Sequence, residues 1–292
     1  LEKYFYRATK AQNAYNSLKS ESRSGFAISE AELKHLDEVV SPLLKKGQSL
    51  HHISIYHADE VMKSERTLYK YVNSGLFSAR NFDMPRVVRM RPRKTKPASL
   101  KVDKSCRVNR TYNDYQIYLA NNPDTPICQI DSVEGIKGGA VLLTVHFVKQ
   151  ELQLAFLRKA NDSQSVIDIF EHLYFEMRPD IFMDTFPILL ADNGSEFSNP
   201  KAIEFDKQGN QRTHIFYCDA NAPYQKGNDW GQYTQEQINL MMSHINSYAR
   251  KNLGNKSPYE VFAFLYGEEL LKVFNLEQIP ADEIVLTPDL LK

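Results

Sequence analysis

Ile188-Leu189-Leu190-Ala191-Asp192-Asn193-Gly194-Ser195-Glu196-Phe197 is the stretch whose reading decides the fold. Four apolar residues followed by Asp-Asn-Gly spell a short buried strand that stops with a carboxylate at its tip. Chemistry in open α/β sheets collects where strands end. A second apolar run upstream closes the same way, in Ile127-Cys128-Gln129-Ile130-Asp131-Ser132-Val133-Glu134-Gly135. Asp131 and Asp192 on neighbouring strands would form a hard-oxygen pocket suited to Mg²⁺, which favours carboxylates and keeps several waters. Such a pair repels when no cation is present, so one of the two is expected to have its pKa raised.

A chain of 292 residues exceeds the usual single domain, so two or three compact units are expected. Its formal charge is zero, but Arg86 to Arg110 holds ten Lys/Arg against the single acid Asp103, a local balance of +9. That asymmetry suggests a basic arm facing a polyanion, with a merely soluble linker as the bland alternative. Cys106, Cys128 and Cys218 form no C-x-x-C pair, so neither a disulfide framework nor a zinc site is indicated, and a reducing compartment is expected. No apolar run reaches the roughly 18 residues of a membrane span, and Leu1-Glu2-Lys3-Tyr4-Phe5 is no signal peptide.

In chain order, residues Tyr4 to Ser20 read as a polar helix without a core of its own. Ser29-Glu30-Ala31-Glu32 is a capping box, with Leu33, Leu36, Val40, Leu43 and Leu44 behind it at helical spacing. Gly47 breaks the chain and Ser49 caps a second short helix. Ser64 caps a third, expected to turn Leu68, Tyr69 and Val72 to one face. Three short helices with a tight last join fit a helix-turn-helix domain over 26–80, the third helix presenting Lys63, Glu65, Arg66, Thr67 and Lys70 to a major groove. An ordinary small helical bundle with a solvated polar face is the competing reading. The segment behind it, a basic linker over 81–112 with Arg86, Arg89, Arg91, Arg93, Lys94 and Lys96, shifts the balance towards DNA. Phosphates need cations on a pliable segment, and Pro85, Pro92 and Pro97 keep this one extended.

From Thr111 the pattern becomes α/β. Ile127 to Val133, Ala140 to Val148 and Leu152 to Leu157 read as an antiparallel meander turned at Gly138-Gly139. Asp162 or Ser163 caps an amphipathic helix that Pro179 ends, and the Asp192 strand follows as a parallel return. Thr213 to Cys218 is a last strand. Capping boxes at Thr234 and Ser257-Pro258 open two more helices, with Ile238, Met241, Met242, Ile245 and Tyr248 expected inward on the first. The sequence from Ile279 to Lys292 reads as a loose tail. Strand–strand–strand–helix–strand–helix–strand, with aspartates ending the first and fourth strands, describes a ribonuclease-H-like, integrase-type mixed five-stranded sheet with flanking helices, preceded by an all-α domain.

Several motifs in order resemble one family. They are Gln129 to Gly135, Ala191 to Phe197, Pro223-Tyr224-Gln225-Lys226-Gly227, His244-Ile245-Asn246-Ser247-Tyr248, and Asn252-Leu253-Gly254-Asn255-Lys256-Ser257-Pro258-Tyr259-Glu260-Val261-Phe262. Together they look like insertion-sequence transposases of the IS-thirty family. The resemblance implies a DDE enzyme that binds insertion-sequence ends and cuts and rejoins DNA with two Mg²⁺ or Mn²⁺ ions held by three acids. Asp131 and Asp192 map onto the first two acids and metal ligands, and Lys226 joins the DNA-binding set. Double-stranded DNA, a homo-oligomer and a cytoplasmic, nucleoid-associated bacterial protein are implied as well. The layout expected is a trailing helix of a missing N-terminal domain over 1–25, the helix-turn-helix, the linker, a catalytic core over 113–267 and a tail over 268–292.

The chain departs from the family at the third acid. Lys226-Gly227 runs into Asn228-Asp229-Trp230-Gly231-Gln232-Tyr233 and straight on to the Thr234 box, with Trp230 about where the glutamate belongs. Asp229 is the nearest stand-in, and Glu236 ranks below it. Strand transfer is therefore expected to be impaired, and a catalytically inactive DNA-binding regulator derived from a transposase is the alternative. Glu134 and Glu196 are expected to be solvated or to sit behind the acids. His146 is expected to be a satisfied core histidine, and His51, His52 and His57 to lie on helix surfaces.

Overall fold

The computed structural model describes residues 6–21, 25–85, 105–218 and 229–291. Helix α1 (Ala8–Glu21) buries none of its described side chains, in keeping with its polar sequence. Helices α2 (Glu30–Lys45), α3 (Leu50–Tyr56), α4 (Ala58–Val61) and α5 (Glu65–Asn73) share one core of Leu36, Val40, Leu44, Leu50, Ile53, Val61, Leu68, Tyr71 and Val72. The hydroxyls of Ser29, Ser49 and Ser64 accept the N–H groups of Glu32, His52 and Thr67, so all three anticipated caps form. Helix α4 is a turn the spacing did not reveal. The buried aromatic of α5 is Tyr71 rather than Tyr69, which is 39% exposed. Successive helical residues are about 100° apart, so Tyr71 falls on the Leu68/Val72 stripe and Tyr69 swings off it.

After helix α6 (Tyr112–Asn121), opened by the Thr111/Asp114 capping box, the chain builds one mixed sheet. Its strands are β1 (Ile127–Glu134), β2 (Val141–Phe147), β3 (Leu152–Arg158), β4 (Ile188–Ala191) and β5 (His214–Tyr217), in the spatial order β3-β2-β1-β4-β5. The first three are antiparallel neighbours, whereas β4 lies parallel to both β1 and β5. Two helices make the β3-to-β4 crossover, α7 (Ser163–Met177) and α8 (Pro179–Thr185), the latter starting at the proline that stops the former. Helix α9 (Pro200–Glu204) links β4 to β5, and α10 (Gln235–Asn246), α11 (Pro258–Tyr266) and α12 (Glu268–Val273) complete the chain.

Both sheet faces are covered. Cys128, Ile130, Leu189 and Ala191 pack into the main core with Val166, Phe170, Ile238 and Phe262, while Ile188, Leu190 and Phe216 meet Tyr115 of α6. The edge strand β3 is closed by side chains of α10 that imitate a neighbouring strand. Gln235 accepts the Leu157 N–H at 2.7 Å and donates to the Ala155 carbonyl at 2.9 Å, and Asn246 pairs with both backbone groups of Gln153. An edge left open would template association with another chain. This mixed five-stranded sheet with helices on both faces fits a ribonuclease-H-like arrangement. Among the described residues no helix is long and apolar enough to cross a membrane.

The closing segment is no loose tail. Leu270, Leu271, Phe274 and Leu276 belong to the main core, and Ile284 is fully buried. The strap that follows bridges the N-terminal helices and the core. Gln48 donates to the carbonyls of Ala281 and Ile284, and the Leu286 N–H donates to the Lys46 carbonyl at 2.8 Å. On the core side, the Val285 N–H donates to His244 Nδ1.

His52 completes the seam from the other domain. It is 1% exposed, stacks on Tyr248 at 4.6 Å and accepts the Ala249 N–H at Nδ1, so it is not a surface histidine. His57 bonds Asp282 at 2.8 Å and His51 bonds Glu65 and Asn255, so these two also work between elements rather than in open solvent. His146 departs from expectation in the opposite sense, since it is only half-buried on the face of β2 away from the main core.

Candidate active site

Register fixes the two aspartates. Ile130 and Ala191 are the last parallel partners of β1 and β4, and neighbouring strands lie about 4.8 Å apart. Side chains alternate along each strand. Ile130 and Ala191 face the main core, so Asp131 and Asp192, the next residues, both fall on the α6 side of the sheet. The structure therefore brings this predicted pair together.

Each carboxylate is held by a nearby amide. The Ser132 N–H donates to Asp131 Oδ1, and the Gly194 N–H donates to Asp192 Oδ1, both at 2.8 Å. Asp131 keeps part of its surface in solvent, yet its carboxyl lies low among protein atoms. Burial first, and then the negative charge of Asp192, push its pKa up. The second of these causes is the repulsion expected between neighbouring carboxylates with no cation present. A divalent ion would relieve it, and the hard-oxygen donor set suits Mg²⁺ or Mn²⁺.

The loop after β4 is clamped on several sides. Asn193 Nδ2 donates to the Cys218 carbonyl at 2.8 Å, and the Asn193 carbonyl accepts from Arg107 Nη2 at 3.1 Å. The Arg107 guanidinium lies over the Tyr217 ring at 5.4 Å. Glu196 is 5% exposed, on a single 3₁₀ turn (Ser195–Phe197), and is not solvated. Burial raises its pKa and the Asp192 charge adds to that, while hydrogen bonding from Ser132 and the charge of Arg158 oppose the rise.

Arg158, at the end of β3 and 2% exposed, went unnoticed in the sequence. Its Nη2 donates to Ser132 Oγ at 2.6 Å, and its Nη1 donates to the Asp162 carbonyl and Ser165 Oγ. The available signal was a cation closing an apolar strand, where a buried charge requires partners.

Asp229 is not brought to the pair. It is exposed and caps its own 3₁₀ turn by accepting the Gly231 N–H at 3.0 Å. Gly231 lies against Ala140. The register partner of Asp131 is Thr144, so the turn sits four residues, about 13 Å, along β2 from that level. Trp230 packs into the main core beside it, and Glu236 lies exposed at the start of α10. Among the described residues, no group of three His, Cys, Asp or Glu side chains is arranged to hold a metal ion.

The predicted DNA-binding residues divide into three sets. Arg66 and Lys70 are exposed on α5 and make no ion pair among the described residues. Lys63 is tied to Glu32 at 2.6 Å, and Thr67 Oγ1 bonds Ser64 Oγ, so both are engaged within the helical domain. Arg86, Arg89, Arg91, Arg93, Lys94, Lys96 and Lys226 lie outside the described residues. Two cations of the basic stretch are described, Arg107 and Arg110, and both turn inward. Arg110 grips the buried Glu204 through Nε and Nη2, the latter at 2.6 Å.

No protein-family model matches this sequence. The chain is similar to a protein of Streptococcus salivarius described as a probable transposase for the insertion-like sequence element IS1161, with 28% identity over 182 residues. The match covers 61% of this chain and 47% of that protein, so the chain spans about half the length of its relative.

Proposed function

We propose that this chain derives from a DDE-type transposase of the IS-thirty kind and binds DNA through its N-terminal helices, with Asp131 and Asp192 forming the divalent-metal site. The observation that carries the reading is the placement of two amide-held carboxylates, each one residue beyond the last parallel pairing of β1 with β4, Asp131 within β1 and Asp192 just past β4. The similarity to a transposase agrees with it. Bound Mg²⁺ or Mn²⁺ would sharpen the attacking water or 3′-hydroxyl and steady the leaving oxygen of the DNA phosphate. Asp131 and Asp192 would hold the ions, and the Ser132 and Gly194 amides would keep both carboxylates aimed. Arg66 and Lys70 on α5 would meet DNA, with Lys226 and the 86–96 cations as further phosphate contacts. Homodimers or larger assemblies on paired DNA ends follow from the same reading, as does residence at the bacterial nucleoid.

Strand transfer should be weak. Trp230 fills the core where the family's glutamate is expected, and misplacing a reacting group by about 1 Å can cost on the order of a hundredfold in rate. That favours, as a second reading, a DNA-binding regulator that has lost the chemistry. A duplex carrying the ends of the parent insertion sequence, incubated with the protein and Mn²⁺, separates the two. Nicking that disappears in Asp192→Ala supports an enzyme. Salt-sensitive binding without nicking supports the regulator, and no binding at low salt refutes both.

A further inference from the structure

We propose that Glu196 is a positioning residue, a buried carboxyl that ties the residue holding Asp131 to the residue holding Asp192. The inference rests on the metal-site reading above and deepens it. Ser132 and Gly194 are the two residues whose amides clamp the aspartates. Both also meet Glu196. Ser132 lies near enough to the Glu196 carboxyl to hold its pKa down, and itself receives Arg158 Nη2 at 2.6 Å. Gly194 lies so close that an added Cβ would stand 2.4 Å from Oε2 and 2.7 Å from Oε1.

That closeness explains the glycine. Its backbone, at φ −62° and ψ 150°, suits any residue, so no left-handed turn requires it. The Glu196 carboxyl requires it, since a methyl group there would push the carboxyl away from Ser132. The buried Arg158 and Glu196 and the half-buried Ser132 and Gly194 thus form one chain running behind the two aspartates. The arginine balances the carboxylate, and the serine hydroxyl passes the contact between them. Side chains supporting metal ligands in this manner typically alter metal affinity by about 10–100-fold when removed.

The test uses the whole chain with Mn²⁺ as probe and two measurements. The first is amide hydrogen exchange over residues 192–197 in metal-free protein, and the second is Mn²⁺ affinity by calorimetry. Glu196→Ala should accelerate exchange about tenfold or more and weaken Mn²⁺ by about 10–100-fold. Glu196→Gln, which keeps shape and acceptor, should restore both nearly to wild type. Exchange and affinity unchanged in Glu196→Ala would overturn the proposal. So would Glu196→Gln behaving as badly as the alanine variant, because charge rather than placement would then be the cause. Should Glu196→Ala fail to fold, Ser132→Ala must show the same two changes in smaller measure or the proposal falls. A wild type that takes up no Mn²⁺ refutes the metal site, while exchange alone still decides the role of Glu196.

Discussion

His52 Nδ1 on α3 accepts the backbone N–H of Ala249, 197 residues away, at 3.1 Å. An imidazole can accept this bond only when neutral, and burial, the main cause, depresses its pKa to about 4. His51 and His57 lower it further and Asp282 opposes them. His244, which accepts the Val285 N–H in the same seam, is shifted in the same direction by burial, with Glu283 opposing.

The sign follows from the neutral state. A base depressed on folding contributes fully above its unfolded pKa of about 6.5 and loses that contribution as pH falls towards about 4. For His52 the amount is about 3 kcal/mol, at about 1.4 kcal/mol per unit. The melting temperature should therefore drop between about pH 6.5 and about pH 4, and His52→Gln should show a shallower drop than wild type. Parallel pH curves for the two proteins would remove His52 as the cause.

Gly194→Ala should reproduce Glu196→Ala, because the added methyl displaces the same carboxyl. A double-mutant cycle on Mn²⁺ affinity should be strongly non-additive, the pair costing little more than either change alone. Additive losses would mean that the two residues act separately.

Arg110 belongs to the core rather than to DNA. Glu204 is 4% exposed and also accepts the Ile215 N–H at 3.1 Å, so Arg110→Ala strands a buried carboxylate under β5. Urea unfolding should show a loss of about 3–5 kcal/mol, with no change in the salt dependence of DNA binding. A stability change below about 1 kcal/mol, the range of an exposed pair, would contradict this.

On α5, Arg66→Ala and Lys70→Ala should each reduce the slope of log K against log salt for duplex DNA by about 0.9. Lys63→Ala should do less, since Lys63 is already paired with Glu32. Equal slopes in all three variants and wild type would take α5 off the DNA.

The sheet could be read from the sequence because its signals are local. Apolar runs that end on an acid marked β1 and β4, and serine or threonine caps marked α2, α5 and α10. Helices α4, α8 and α12 were missed because they are short and owe their stability to packing rather than to a long periodic stripe, whereas α6, ten residues long, buries only Tyr115 and so shows no apolar stripe despite its Thr111/Asp114 capping box. The seam was illegible for a different reason. His52 looks like one polar residue among His51, Ile53 and Ser54, and its burial depends on Ala249 and the 281–286 strap. Glu196 sat in view within the deciding motif, yet its surroundings come from Arg158 and Ser132 on other strands. Adjacency of Asp131 and Asp192 was expected from the motif, and the Ile130–Ala191 register supplies it.

Titration of the whole chain with Mn²⁺, alongside Asp131→Asn and Asp192→Asn, tests the metal site most directly. The account predicts saturable binding by wild type at millimolar or lower concentration, and loss of that binding in each variant while both remain folded. Binding that persists unchanged in both variants, or a wild type that stays silent, would contradict it.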